Sequence, residues 1–145
     1  MFKFNLQPLL NHRRYLEEVL QKELAQFRKR LTAEQNKLRR LKEKKREYSQ
    51  KLQQRQKENG TVSDLILYLQ YLDRLSTELE HQHQQVVAAE KDFKNKRNDL
   101  IKTMKNRKIL EQLKENRSKA YQQQMLKNER KFMDEVAAKQ FSNKS

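Results

Sequence analysis

Leucines and aromatic residues recur in steps of four and three along most of this chain. Leu20, Leu24, Phe27, Leu31, Glu34, Leu38, Leu41, Lys45, Tyr48 and Leu52 keep that alternation without a break, and only Glu34 and Lys45 among them are charged. The mean step is the a/d repeat of a left-handed coiled coil, about 3.5 residues. Leu9 and Leu16 extend the same face upstream. A second series runs through Leu65, Tyr68, Leu72, Leu75, Leu79, Gln82, Val86, Ala89, Phe93, Lys96 and Leu100. Beyond Leu100 the phase drifts through Met104, Leu110, Leu113, Tyr121, Met125, Phe132 and Val136. Polar residues that favour helix, mainly Lys, Arg, Gln and Glu, fill the intervening positions. The pattern predicts two long helices, each with one apolar stripe.

The stretch from Glu58 to Asp64 separates them and holds Gly60, the chain's one glycine. Gly60 is expected to take the left-handed conformation that closes a helix. Thr61 and Asp64 have the S/T-x-x-D/E spacing of a capping box, which opens a new helix. The first helix therefore runs from about residue 6 to 59, with Asn5 as N-cap and Pro8 in the first turn, where a missing amide costs nothing. A turn occupies 59–62, the second helix about 63–139, and residues 140–145 form a frayed tail. The fold class is all-α, a long two-helix antiparallel coiled-coil hairpin in a single domain over 1–145. At about 1.5 Å per residue the helices span roughly 80 and 115 Å. Residue 4 then falls near residue 118, and roughly the last 20 to 25 residues project past the first helix. A glycine can also sit inside a helix at about 1 kcal/mol, so an extended parallel dimer stays open as a rival architecture.

One stretch does not fit a single stripe. Around Val62–Leu75, Ile66, Leu67, Leu69 and Tyr71 lie off the pairing face, and Tyr71, Leu75, Glu78 and Gln82 form a second line beside it. Exposed apolar surface of this kind marks a protein contact. The competing reading closes the hairpin end on itself, with Val62 and Leu65 against Leu52.

Composition narrows the function. The 145 residues include one Gly, one Pro and no Cys, and carry a net charge of +15. Apolar residues make up 34%, too few for a multilayer core but enough for a two-helix seam. Thiol and disulfide chemistry are excluded. No apolar run reaches membrane-spanning length, and the first residues lack the apolar core of a secretory signal. Residues 28–57 hold 13 basic residues against Glu34, Glu43 and Glu47, a net of +10. That run is either a solvated coiled-coil exterior or an anion-facing patch. In the second case the chain is a basic coiled coil binding nucleic acid or an anionic surface. Phosphate cradles need several glycines. His81 and His83 are two apart, not at the i, i+4 spacing of a chelating pair, and His12 stands alone, so all three read as solvated. No cofactor, metal site or catalytic constellation is expected, and the chain is not read as an enzyme.

The run Phe2-Lys3-Phe4-Asn5-Leu6-Gln7-Pro8-Leu9-Leu10, with Arg13 and Glu17, resembles the opening of the flagellar export protein FliJ family. Gly60 followed by Tyr68, Tyr71, Leu72 and Leu75 resembles that family's hairpin tip. Arg107 to Leu113, and Glu129 with Asp134 to Ala137, resemble its C-terminal third. The likeness covers nearly the whole chain and implies a non-enzymatic part of the flagellar type III secretion apparatus, similar to the coiled coil of the ATP synthase γ subunit. The implied partners are the hexameric export ATPase, the cytoplasmic domain of the membrane export gate, and export chaperones. No specific nucleic acid is implied. The implied location is cytoplasmic, peripheral at the inner face of the cell membrane through those partners, in the service of motility and chemotaxis. The paired ends, around Leu6, Leu10, Arg13, Arg14, Glu111, Leu113, Glu129 and Asp134, are expected to meet the ATPase. Tyr71, Leu75, Glu78 and Gln82 at the tip are expected to meet the gate.

Overall fold

A computed structural model describes residues 1–144. It consists of two helices, α1 (Gln7–Lys57) and α2 (Val62–Lys144), packed antiparallel against each other in an all-α hairpin. By contact the chain separates into two compact units. A turn unit comprises Val19–Leu100, and a terminal unit comprises Met1–Glu18 with Ile101–Ser145.

In the turn unit every residue of both predicted stripes, from Leu20 to Leu52 and from Leu65 to Leu100, is buried or half-buried. Leu20, Leu75, Val86, Ala89 and Leu100 are the most enclosed. Burying one such Leu or Val side chain contributes about 1.5–3 kcal/mol. The ion pairs that cross the unit, Lys96–Glu23 at 2.7 Å and Arg30–Asp92 at 3.0 Å, are partly exposed and contribute about 1 kcal/mol or less each. The stripe therefore sets the fold, and the charges trim it. Lys96 still feels its partner. The hydrogen bond to the Glu23 carboxylate holds its ammonium above the ordinary lysine value.

The turn differs in detail from the expectation. Asn59, not Gly60, takes the left-handed conformation, at φ 57°, and Gly60 has no positive φ. Asn tolerates that region because its short polar side chain can bond locally. Gly60 N–H donates to the Arg55 carbonyl at 3.0 Å, the six-to-one bond of a Schellman ending with Asn59 at C′. A Cβ at Gly60 would lie 3.1 Å from that carbonyl oxygen. Glycine is thus used for close approach, not for its sign of φ. The start of α2 follows the cap signal: Leu65 N–H donates to Thr61 carbonyl, and Thr61 Oγ1 accepts from Asp64 N–H at 3.2 Å.

In the terminal unit the first helical bond runs from Leu10 N–H to Leu6 carbonyl, preceded by a turn in which Gln7 N–H donates to Phe4 carbonyl. The cap position thus falls on Leu6, one residue after Asn5. The turn over Phe4–Gln7 lets Phe4 reach the packing face, where it is buried. Leu10 is fully enclosed. Facing residues on α2 are Thr103 (buried), Met104, Arg107, Leu110, Ser118 and Tyr121 (half-buried). Tyr121 meets both the Met1 amine, which donates to its hydroxyl at 2.9 Å, and the Phe2 ring at 5.7 Å. The Arg117 guanidinium lies over Phe4. This pairing agrees with the expected register of residue 4 near 118. From Gln122 to Asn143 every side chain is exposed. The helix continues through Lys144; Ser145, the last residue of the expected tail, lies outside the described residues.

Candidate partner-binding surfaces

Two surfaces follow from this packing, one in each unit. In the turn unit, α2 must present one stripe to α1, and the step of four or three decides which. Leu72, Leu75, Leu79, Gln82 and Val86 take it. Of the four residues expected at the tip contact, Leu75 is 3% exposed and Gln82 8%, so both face α1. Gln82 Nε2 donates to the Glu34 carbonyl at 3.0 Å and also to the Glu34 carboxylate. Tyr71 is half-buried with its ring 4.4 Å from Tyr48, and Tyr48 also meets Tyr68 at 6.2 Å. Glu78 is exposed. What remains open to solvent is a neighbouring stripe of Val62, Ile66 and Leu69, again spaced four and three, with Leu67 beside it. The hairpin end does not close over Val62, which stays largely exposed while Leu65 and Leu52 are half-buried.

In the terminal unit an ion-pair network crosses the two helices. Arg107 binds Glu17 through Nε and Glu111 through Nη1, the latter at 3.0 Å, and Arg14 reaches Glu111 at 3.4 Å. Glu17 and Arg107 are the most enclosed members. Hydrogen bonds from Arg107, then its charge and those of Arg14, hold the Glu111 carboxyl below the ordinary glutamate range. Its hydrogen bonds to the Glu111 and Glu17 carboxylates in turn push the Arg107 guanidinium up. The residues expected to meet a partner here divide into three kinds. Leu10 is fully buried, and Leu6, Arg13 and Leu113 are half-buried. Arg14 and Glu111 are tied to each other. Glu129 and Asp134 are exposed on the unpaired part of α2, beside Met125, Leu126, Phe132, Met133, Val136 and Phe141. In the sequence that exposed apolar surface is masked because Met125, Phe132 and Val136 continue the seam. The signal was available in the expected pairing of residue 4 with 118, which leaves these positions with no facing helix.

His12, His81 and His83 are all exposed. Among the described residues no group of His, Cys, Asp and Glu is placed to hold a metal, and no helix is long and apolar enough to cross a membrane.

The fold is that of a two-helix coiled-coil hairpin with exposed apolar and charged stripes. The chain belongs to the flagellar FliJ protein family, whose profile matches residues 2–145. It is on that ground a component of the flagellar type III export class. No curated protein sequence matches it. A solved structure described as a YscO homolog, CT670 from Chlamydia trachomatis, superposes with a TM-score of 0.68 at 23% identity, covering 94% of this chain and 93% of that one. At that identity the likeness concerns the fold.

Proposed function

We propose that this protein is a non-enzymatic coupling component of the flagellar export apparatus. In this reading it links the hexameric export ATPase to the cytoplasmic domain of the membrane export gate and handles export chaperones. It works at the inner face of the membrane, held there by its partners. Family membership over residues 2–145 carries the reading. The packing supports it with two separate exposed surfaces, each suited to a partner.

The ATPase contact is assigned to the terminal unit, through Arg13, Glu129, Asp134 and the apolar residues around Phe132. Leu6, Leu10, Leu113 and the Arg14–Glu111 pair support that surface from beneath. The gate contact is assigned to Ile66, Leu67 and Leu69, bordered by Tyr71 and Glu78. Leu75 and Gln82 act through the hairpin they hold together. An Ile66→Asp/Leu69→Asp double variant keeps the helical signal in circular dichroism and loses gate binding in a pull-down with the gate's purified cytoplasmic domain. Undiminished binding by this variant removes the tip from the reading.

A further inference from the structure

Met125, Leu126, Phe132, Met133 and Val136 form an apolar stripe on the part of α2 where every side chain is exposed. Met125, Asn128, Glu129 and Phe132, spaced i, i+3, i+4 and i+7, enclose with Met133 an open hollow of about 370 Å³. Four residues at that spacing make the hole that receives a knob from a facing helix in a coiled coil. Residues 122–143 carry four basic residues against three acidic ones, a net of +1 in a chain of +15. Two copies of this stretch therefore approach with little of the repulsion that the rest of the chain would impose. The charges also match themselves. By helical spacing Arg130 and Asp134 lie on one side of the stripe, and Lys131 and Glu135 on the other. On each side the cation precedes the acid by four residues, the weaker order for pairing along one helix. Among the described residues none of the four forms an ion pair. The midpoints of the two pairs fall on Phe132 and Met133.

We propose that this part of α2 pairs antiparallel with the same part of a second copy of the chain, about a two-fold axis at Phe132 and Met133. Such an axis sets like flanks side by side, so residue i of one copy meets j of the other and j meets i. Arg130 then meets Asp134 of the second copy, and Lys131 meets Glu135, each contact occurring twice. Val136 of the second copy comes level with the centre of the hollow and fills it as the knob. Glu129, the acid on the stripe, has Lys139 of the second copy as its nearest cation. A different partner requires no charge symmetry about a midpoint, which favours a second copy as the occupant. The dimer goes beyond the coupling reading. Its consequence for export rests on that reading: the dimer covers the apolar surface assigned to the ATPase, which must displace one copy to bind.

The test is sedimentation velocity of the full chain alone, from about 1 to 100 µM, the range of a small reversible interface. The mass reaches twice the single chain's 17.8 kDa within that range and stops there, because an isologous contact closes. Asp134→Lys/Glu135→Lys and Arg130→Glu/Lys131→Glu, all at exposed positions, each weaken association about tenfold or more at unchanged helicity. An equimolar mixture of the two variants restores it. Orientation is read from cysteine variants, since the chain has no cysteine of its own: Glu129→Cys copies form disulfides with Val136→Cys copies faster than with themselves. A mass that stays at 17.8 kDa, growth past twice that mass, undiminished association in either charge variant, no recovery in the mixture, or equal self-linking of the cysteine variants overturns the proposal. No ATPase is present, so failure here leaves the coupling reading standing, and a failure to recover the ATPase from cells leaves the dimer standing.

Discussion

Leu9 and Leu10 are adjacent in the first turn of α1, yet the structure assigns them opposite roles. Leu10 is 0% exposed and Leu9 is 42% exposed. Replacing either by Ala removes the same three carbons and makes the same small change in helix propensity, so the difference between the two variants isolates packing. At about 0.8 kcal/mol per carbon the transfer loss at Leu10 is about 2.4 kcal/mol. Incomplete collapse around the cavity brings the total to about 3 kcal/mol, within the roughly 2–5 kcal/mol seen for buried leucines. At Leu9, much of that surface already faces water, and the cost stays at about 1 kcal/mol or less. Native-state hydrogen exchange is the appropriate assay, because it reads the terminal unit locally. In Leu10→Ala, amides of residues 11–18 and 103–118 lose about two orders of magnitude of protection, the equivalent of 3 kcal/mol. In Leu9→Ala they lose less than about one. Equal losses in the two variants would refute the packing assigned to this unit.

Acid should loosen the same unit. The Glu111 carboxyl is held below its ordinary range by Arg107 and Arg14, so its contribution is fully present above the unfolded value of about 4.3 and is lost as pH falls through the lower folded value. Glu111→Gln removes that acid-dependent part of the stability curve, as urea denaturation between neutral and acid pH will show. In the turn unit, Gln82→Leu leaves Glu34 without its donor and costs about 1–3 kcal/mol. The Glu34→Leu/Gln82→Leu pair recovers it in a double-mutant cycle. At the turn, Asn59→Gly is tolerated because glycine takes positive φ freely, whereas Asn59→Val costs about 1–2 kcal/mol. Thermal denaturation of the two variants separates them.

How much of this was legible in the sequence depends on the kind of residue that carries each feature. The turn-unit stripe was readable because leucine spacing alone selects the buried face, and Glu34, Lys45 and Gln82 could be placed by counting from their neighbours. The drift after Leu100 had a different cause. There the packing positions include Thr103, Arg107 and Ser118, and polar residues leave no trace in a hydrophobic pattern. The turn's location followed from Gly60, but its mechanism did not. Asn and Gly both suit a helix ending, and only the backbone distinguishes which takes positive φ. At the tip, Tyr71, Leu75, Glu78 and Gln82 lie on a line at helical spacing, yet two of the four share the seam. Periodicity cannot divide residues between two overlapping stripes; the packing of Tyr48 and Glu34 against α2 does. The exposed apolar surface at the end of α2 was the least readable, because an exposed Phe132 or Val136 looks in sequence like one more seam residue.

Affinity purification of the intact chain from its native cells, with the bound proteins identified, tests the coupling role most directly. The account predicts recovery of the hexameric export ATPase, and its loss when Phe132 and Met133 are both changed to Asp. Purification that returns the chain without the ATPase, or with the ATPase still bound in that variant, contradicts it.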